Sequence, residues 1–464
     1  MMKRVIAVLA VVVMMGVSSI AFAASDISVS GEIGIRSRDF QNMTLDKEAN
    51  NKTGSQVDTQ ERVRLEVNVK ADDVSGKISI ENDYDTWGRN EAYQANIASM
   101  STNSATGATS GGPFLRLREA WVGFKIPDTP IGIKAGHQLL ALSNGWFYRA
   151  MKYGADAWVV YTDIDAIHLG LVDIKASEGN SGVSDDIDAY ALVANYKLDD
   201  KSTVGFNWTL IKDRAATFAT ATVTSFARAN LGYGTGISPF GSIELNNLSL
   251  FYAGKIGAIG LKAEFDVQNG KIKAADGFAV DDVKLEGNQI VLQGDMALDP
   301  VTINATLARG SGVKESDGDN SKVSQIITLL DTDKHYTLLF EYKIPTAGLN
   351  LASGGASDDH LHTGFANVTT LNVGVNSKVG KSLTVGAQAW WLQATEAVEL
   401  NDGSGDTSKD LGMELDANIN WQLTPSLSWN WDLGYFKAGK AYTKTNGDKP
   451  DAATGIQGVL SFKF

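Results

Sequence analysis

The chain has 464 residues with 47 glycines, 8 prolines and no cysteine, and its formal net charge is −13. The absence of cysteine excludes disulfides and thiolate metal sites, and the acidic balance argues against a nucleic-acid partner, which would need a basic surface. The mean hydropathy of −0.11 does not exclude a membrane protein, because the polar lumen of a β-barrel offsets its apolar outer face.

The first residues have the three parts of a secretory signal peptide. The basic pair Lys3–Arg4 precedes an apolar run over Val5–Val17, and the small-residue sequence Ala21–Phe22–Ala23 follows. We therefore expect a signal peptide over 1–23 and a mature barrel over 24–464. An uncleaved anchor is the alternative, although the run is short for a membrane span. No later segment has about 18 consecutive apolar residues, so membrane residence requires a barrel.

The mature chain reads as a series of strands in which apolar and polar residues alternate. In 62–70, four apolar residues on one face oppose Arg62, Arg64, Glu66 and Lys70 on the other. Further alternating segments lie at 203–210, 261–268, 301–308 and 413–423. Segments of about 9–13 residues are long enough to cross a bilayer when they are tilted.

The connections between these strands alternate between very short turns, such as Asp299–Pro300, and long polar loops, such as 310–333. Short periplasmic turns and long extracellular loops are typical of outer-membrane barrels. The sequence therefore predicts an all-β fold, a single transmembrane antiparallel β-barrel of about 18 strands, with 16 to 20 as the allowed range.

One segment departs from the alternation. In 114–125, Arg116 and Arg118 share strand parity with the apolar residues Ala120 and Val122. A β-bulge between the two sets, or arginines placed above the lipid zone, would explain this pattern.

The C-terminal strand ends on aromatic residues. Leu460, Phe462 and Phe464 fall on one face, opposite Ser461 and Lys463. A soluble edge strand is the alternative, but a lipid-facing final strand that pairs with the first strand explains the exposed aromatics. The stretch resembles the C-terminal signature that the barrel-assembly machinery of Gram-negative bacteria reads, so we expect an assembly signal here.

The polar faces of the strands are predicted to line a water-filled pore. They carry both signs of charge, and the acidic excess favours a mild preference for cations. The predicted pore-lining residues are Arg62, Arg64, Glu66, Lys70, Lys262, Glu264, Asp266, Glu414, Asp416 and Asp432.

A barrel of this width needs a loop that narrows it. The candidate stretches are 85–113 and 139–155. The second contains aromatic and cationic residues that could pack against the wall and face carboxylates. Its candidate constriction residues are Trp146, Tyr148, Arg149 and Lys152. The alternative is an outer loop followed by a strand.

The segment with Gly136–His137–Gln138, 142–145 and Asp156–Ala157 resembles a recurring stretch of large bacterial porins. The chain as a whole looks like the outer-membrane channel proteins of deltaproteobacteria such as Geobacter and, more distantly, alginate-export and OprD-type channels. The resemblance implies an 18-stranded channel in the cell outer membrane with a loop folded into its lumen. It implies no named substrate, and the lack of a dense run of arginines argues against an anionic polymer.

The sequence favours an outer-membrane porin for passive diffusion of ions and small hydrophilic solutes, without enzymatic activity or a cofactor. The five histidines occur in no serine-hydrolase signature, and the polar runs 317–321 and 358–362 are more typical of solvated loops than of metal sites. The alternative function is a barrel that sheathes or docks a multihaem cytochrome in an electron conduit. Expected partners are outer-membrane lipid, lipopolysaccharide and the barrel-assembly machinery, and a homotrimer is a candidate assembly.

Overall fold

The computed structural model describes most of the strands and part of the loops. The described residues are 25–47, 54–87, 115–179, 185–214, 240–274, 282–314, 322–331, 334–341, 344, 364–400 and 402–464. The predicted signal peptide, most of 85–113 and both candidate metal-binding runs lie outside them. Within these described ranges, no helix is long and apolar enough to span a membrane.

Within the described residues, eighteen long strands form one closed antiparallel barrel, which confirms the predicted fold and strand number. Each long strand pairs with the next long strand in the chain, and the last pairs with the first to close the sheet. The long strands are β1 (Ser25–Gln41), β2 (Gln56–Ala71), β3 (Val74–Thr86), β4 (Leu115–Lys125), β5 (Ile131–Ala141), β6 (Tyr148–Ile164), β7 (Ile167–Ser177), β8 (Ile187–Asp199), β9 (Ser202–Asp213), β10 (Phe240–Ile256), β11 (Ile259–Ala274), β12 (Val283–Leu298), β13 (Val301–Gly310), β16 (Val368–Val379), β17 (Leu383–Glu399), β18 (Thr407–Thr424), β19 (Leu427–Ala438) and β20 (Ala453–Lys463).

The two ends of the barrel differ as the sequence predicts. At one end the strands are joined by tight turns, and at the other end by long loops. Asp72 and Asp128 occupy tight turns with φ values of 49° and 61°, a conformation that aspartate tolerates better than most residues. The end with tight turns corresponds to the periplasmic side of outer-membrane barrels.

The outer face of the barrel carries a continuous apolar belt. Leu415, for example, is 45% exposed on this face, while its neighbour Asp416 points inward and is buried. Exposure of so many large apolar side chains suits contact with lipid rather than water. Representative belt residues are Val29, Ile33, Val63, Ile78, Leu171, Leu192, Leu250, Phe265, Ile290, Leu307, Val373, Leu415, Leu433 and Ile456.

The irregular segment in β4 contains a β-bulge. Leu117 pairs with Ile80 and Glu119 pairs with Ser79, so Arg118 is the extra residue. Arg118 and Glu119 are consequently both buried on the inner side, whereas Leu117 is exposed on the outer face. The first of the two explanations considered from the sequence is therefore correct.

Part of the chain folds into the barrel instead of remaining at the rim. The two-residue strands β14 (Lys322–Val323) and β15 (Leu329–Leu330) pair in parallel with β12 and β6, respectively. Val323 of β14 and Ile327, which lies between the two short strands, pack on apolar side chains of the inner wall of β7–β12. We call residues 322–331 the strap. The packed core of the molecule therefore lies inside the barrel, near its long-loop end.

Candidate functional site

The strap crosses the inner wall from β12 to β6. Lys322 lies opposite Lys284, and Leu329 lies opposite Tyr148. In its middle, the Gln268 side chain donates a hydrogen bond to the Ile327 carbonyl at 2.7 Å and accepts one from the Ile327 N–H at 2.9 Å. The Gln268 side chain thus bonds both backbone groups of Ile327, as a neighbouring strand would. The strap therefore lies over β7–β11 without becoming a strand of the barrel.

A first inner loop, residues 142–147, turns into the lumen between β5 and β6. The Glu264 carboxylate on β11 accepts the backbone N–H of Asn144 at 2.7 Å and those of Trp146 and Phe147 at 3.1 Å each. The Asn144 side chain donates to the Ala263 carbonyl at 2.8 Å. The loop is therefore held against a wall strand more than one hundred residues away in the sequence.

A second inner loop, described over residues 334–341 and at Ile344, follows the strap in the chain and reaches β18. The Glu414 carboxylate accepts the N–H groups of Leu339 and Phe340, both at 2.7 Å. The ring of Phe340 packs 5.7 Å from that of Phe436 on β19. Tyr336 stacks on Phe365 at 4.4 Å. Together with the first inner loop, this segment fills one side of the lumen with apolar and aromatic side chains.

Asp331 joins the strap to the beginning of β6. Its carboxylate accepts the N–H groups of Met151 and Lys152, the latter at 2.8 Å. Its own N–H donates to the Arg149 carbonyl at 3.0 Å, and the Arg149 guanidinium lies 3.5 Å from its carboxylate. The strap and the strand after the first inner loop therefore form one connected unit.

Lys334, at the start of the second inner loop, is a titratable cation next to the first inner loop. Its Nζ lies 3.6 Å from the centre of the Trp146 ring. Burial, reinforced by the nearby Arg149, lowers the pKa of Lys334 to about 8, although Glu264 opposes the shift. The inner loops thus carry a positive charge at neutral pH that is lost at moderately alkaline pH.

The inner wall of β1–β4 carries a network of ion pairs between four cations and four glutamates. Arg118, the bulged residue, contributes to it and also donates to the Met151 carbonyl at 2.9 Å, which connects the wall to β6. We call this surface the charged wall. Its ion pairs include Arg62–Glu32 (3.0 Å), Arg64–Glu81 (2.7 Å), Lys77–Glu66 (3.1 Å), Lys77–Glu119 (2.6 Å) and Arg118–Glu66 (3.5 Å).

The charged wall extends toward both ends of the barrel. Toward the long loops, Arg36 donates to the Gln60 side chain, and Arg38 forms a paired contact with Asp58 at 2.8 and 2.9 Å. On β5, Lys134 lies over the Trp121 ring at 4.0 Å. Positive side chains therefore follow this side of the lumen over much of its depth.

The predicted pore-lining residues fall into two groups. Arg62, Arg64 and Glu66 belong to the charged wall, while Lys70 and Lys262 are exposed and Asp432 is partly buried. The other four point into the barrel but are covered by the inner loops, so they do not line open lumen. These are Glu264 (1% exposed), Asp266, Glu414 (0%) and Asp416. This corrects the expectation for these four, because backbone N–H groups of the loops lie in front of Glu264 and Glu414, and the two aspartates are buried beside them.

The four candidate constriction residues all lie within or next to the filled part of the lumen. Trp146 and Tyr148 are buried in the packed core inside the barrel. Lys152 is also buried, and Arg149 is partly exposed. The first inner loop is thus inside the barrel rather than above it. Of the other stretch, 85–113, only its first residues are described.

Sequence reasoning missed several participants. The strap lies within the stretch 310–333 that the sequence analysis assigns to a long outer loop, although the apolar run Ile326–Leu330, interrupted by one threonine, is a signal against this. The second inner loop is not predicted. The charged wall also contains Glu32, Lys77, Glu81 and Glu119, which the alternation of their strands could have indicated. The inward direction of Arg118 could not be read, because it depends on the bulge.

The C-terminal residues lie at the closure of the barrel. Phe464 donates a backbone hydrogen bond to Gly31 at 3.1 Å and accepts one from it at 2.9 Å. The rings of Phe462 and Phe464 are exposed on the outer face, 5.7 Å apart. These residues therefore pair the last strand with the first, while their part in recognition during assembly stays a prediction.

No family profile and no curated protein matches the chain. Among solved structures, it is similar to the Pseudomonas aeruginosa proteins OccK9 (OpdG), OccK2 (OpdF) in complex with glucuronate, and OccK8 (OprE). Their TM-scores are 0.53, 0.53 and 0.51 at 11%, 11% and 12% identity; 95% of this chain is covered in each case, and 98%, 96% and 98% of theirs.

This likeness concerns the fold. The chain has the closed 18-stranded barrel of OprD-type outer-membrane porins, in agreement with that part of the resemblance noted from the sequence. The Geobacter-type resemblance stays a prediction. With its apolar outer belt and closed sheet, the chain is a β-barrel of the outer membrane.

Proposed function

We propose that the chain is an outer-membrane channel for passive diffusion of ions and small hydrophilic solutes, and that it is not an enzyme. One observation carries the proposal. The inner loops and the strap cover the wall from β6 onward, whereas the charged wall keeps partly exposed side chains facing the lumen, such as Arg62, Arg64 and Glu66 at 15–22% exposure. A path bordered by ionised groups suits hydrated solutes.

The structures of the neighbours support this class of function. All are porins of the same architecture, and OccK2 was solved with glucuronate, a small hydrophilic molecule. In this chain, we propose that the constriction is formed by the first inner loop with Trp146, Tyr148, Arg149 and Lys152, together with the strap and the second inner loop. The solute path then runs between these segments and the charged wall.

The proposed cation preference is small and comes from the whole chain. The net charge of −13 raises the cation concentration near the barrel. The charged wall itself contains as many cations as glutamates, and the inward carboxylates Glu264 and Glu414 are covered. Long-range charge, rather than a row of exposed carboxylates, therefore supports this preference.

The structure favours the channel over a barrel that sheathes a cytochrome. The strap, the two inner loops and the aromatic residue Phe365 occupy lumen space that an inserted partner would need. We further propose that Leu460, Phe462 and Phe464 form the signal read by the barrel-assembly machinery. A homotrimer embedded in lipid and lipopolysaccharide remains the candidate assembly.

The function is tested with the purified protein in a planar bilayer. We expect discrete conductance steps without any partner protein. Under a salt gradient, the reversal potential should be modest and should have the sign that indicates cation preference. The preparation should be colourless. The absence of conductance would contradict the channel, and a haem-containing complex would favour the sheath. A clear anion preference would contradict only the proposed selectivity.

A further inference from the structure

We infer that Glu264 and Glu414 are positioning residues that hold the two inner loops in the lumen and thereby set the conductance of the channel. This inference rests on the proposed function, since it concerns the width of the same path. In this inference the two wall carboxylates bind the loops and do not line the pore.

The two glutamates have the same arrangement on wall strands that lie five strands apart in the barrel. Each lies on an inward-facing strand position, and an aspartate follows two residues later on the same face, Asp266 and Asp416, respectively. Each glutamate accepts adjacent or nearly adjacent backbone N–H groups of a loop. Because the same arrangement occurs on β11 and on β18, we infer that both glutamates have the same role, which is to attach a loop to the wall.

Every carboxylate oxygen of the two glutamates is engaged by a loop. In Glu264, Oε2 accepts from Asn144, and Oε1 accepts from Trp146 and Phe147. In Glu414, Oε1 accepts from Leu339 and Oε2 from Phe340.

The dependence between wall and loop is mutual. Both glutamates are almost completely buried, and a buried carboxylate is costly unless hydrogen-bond donors surround it. The five loop N–H groups would in turn be left unsatisfied if the carboxylates were removed. Withdrawal of either loop would break these hydrogen bonds together and expose buried aromatic side chains such as Phe147 and Phe340 to water, which keeps the loops inside the lumen.

The neighbouring aspartates are not interchangeable with the glutamates. Asp266 accepts from Asn247 at 3.0 Å and Gln289 at 2.8 Å, both on the wall, and also from Ser249. Asp416 accepts from Gln388 at 3.3 Å. Asp266 therefore connects wall strands to each other, whereas Asp416 also accepts the backbone N–H of Leu338 and so supports Glu414 beneath the second inner loop.

The test uses Glu264→Gln and Glu414→Gln in the full-length protein. Glutamine has nearly the same shape, but one acceptor oxygen becomes an NH₂ donor that faces a backbone donor. We expect an upward shift in mean conductance and more open-state noise in both variants. Glu399→Gln, which removes an exposed charge at the long-loop end, is the matched control and should conduct like the unmodified chain.

Hydrogen–deuterium exchange gives a readout that does not need conduction. In Glu414→Gln, the amides of Leu339 and Phe340 should exchange severalfold faster, given the usual net contribution of a hydrogen bond. Exchange at the amides of β18 itself should be unchanged. If the unmodified chain conducts but neither variant alters conductance or loop exchange, the inference is wrong while the channel stands. If the chain does not conduct, the exchange result alone decides whether the glutamates hold the loops.

A reversible tether provides the confirming experiment. A Cβ at Gly434 would lie 3.1 Å from the Leu338 side chain on the second inner loop, and the chain contains no native cysteine. In Glu414→Gln carrying Leu338→Cys and Gly434→Cys, oxidation should return the conductance to that of the unmodified chain, and a reductant should raise it again. A high conductance that persists after confirmed cross-linking would overturn the role of Glu414.

Discussion

At the scale of single residues, the surroundings of a charged group decide what it does in this lumen. Lys334 lies on the Trp146 ring, and burial lowers its pKa to about 8. The side chain is therefore charged below this pH and neutral above it. Because the charge lies on the segment that narrows the path, its loss should make the channel more selective for cations.

The reversal potential under a salt gradient, measured from pH 6.5 to 9.5, checks this residue-scale prediction. We expect cation preference to rise with a midpoint near pH 8. Lys334→Gln should show the high-pH selectivity throughout, whereas Lys197→Gln, at an exposed position next to a tight turn, should retain the pH step. If the reversal potential of Lys334→Gln still changes near pH 8 as in the unmodified chain, another group causes the pH dependence.

At this scale, strand alternation is the local signal that the sequence offers for the direction of a side chain. Alternation placed Glu264 and Glu414 on the inner face, but it could not show that loops cover them. The donors to Glu414 are 74 and 75 residues away along the chain, and those to Glu264 are 117 to 120 residues away. Such contacts are set by the closed barrel and leave no local pattern.

At the scale of strands, β18 should separate the lipid face from the lumen. Leu415 is exposed in the apolar belt, whereas Asn418 points inward without being fully buried. An arginine on the lipid face near mid-depth costs about 2–4 kcal/mol, and one in the lumen costs little. Leu415→Arg should therefore destabilise the barrel much more than Asn418→Arg.

Folding titrations in lipid vesicles measure this difference in unfolding free energy. Asn418→Arg is a better comparison than Asp416→Arg, because Asp416 is buried beneath the second inner loop. Equal losses of stability in Leu415→Arg and Asn418→Arg would mean that the assignment of the two faces is wrong.

The closing strand allows a second prediction at this scale. Deletion of Phe464 removes the two backbone hydrogen bonds to Gly31 and one exposed ring at the seam. We expect less folded barrel in the outer membrane while export is unchanged, as judged by heat-modifiable mobility on gels. Phe464→Trp keeps the backbone and an aromatic ring, so it should assemble normally. Normal levels of the deletion variant would show that the terminal residue is dispensable.

The long strands could be predicted from the sequence because each has a local signature of alternation and a turn at one end. The strap could not be placed in the same way. Its apolar run over 326–330 is compatible with a short buried strand or with core packing, and its direction follows from pairing with both β6 and β12. An outer loop and an inner strap of the same length look alike until the barrel is closed.

At the scale of the whole molecule, the barrel interior is asymmetric. One side is a packed core formed by the inner loops, the strap and the wall from β6 onward, and the other side is the charged wall of β1–β4. This arrangement explains how a wide barrel can offer a narrow hydrophilic path. It also explains why some inward carboxylates hold loops while others face solutes.

Thiol modification of single-cysteine variants during bilayer recording tests this central claim most directly, and the native chain has no cysteine to interfere. Arg64→Cys and Lys77→Cys lie on the charged wall, and Thr209→Cys and Ser249→Cys lie on the inner wall among the buried residues. A bulky charged thiol reagent should lower the current through the first two variants and leave the second two unchanged. Strong block at Thr209→Cys or Ser249→Cys, with none at Arg64→Cys or Lys77→Cys, would contradict the proposed path.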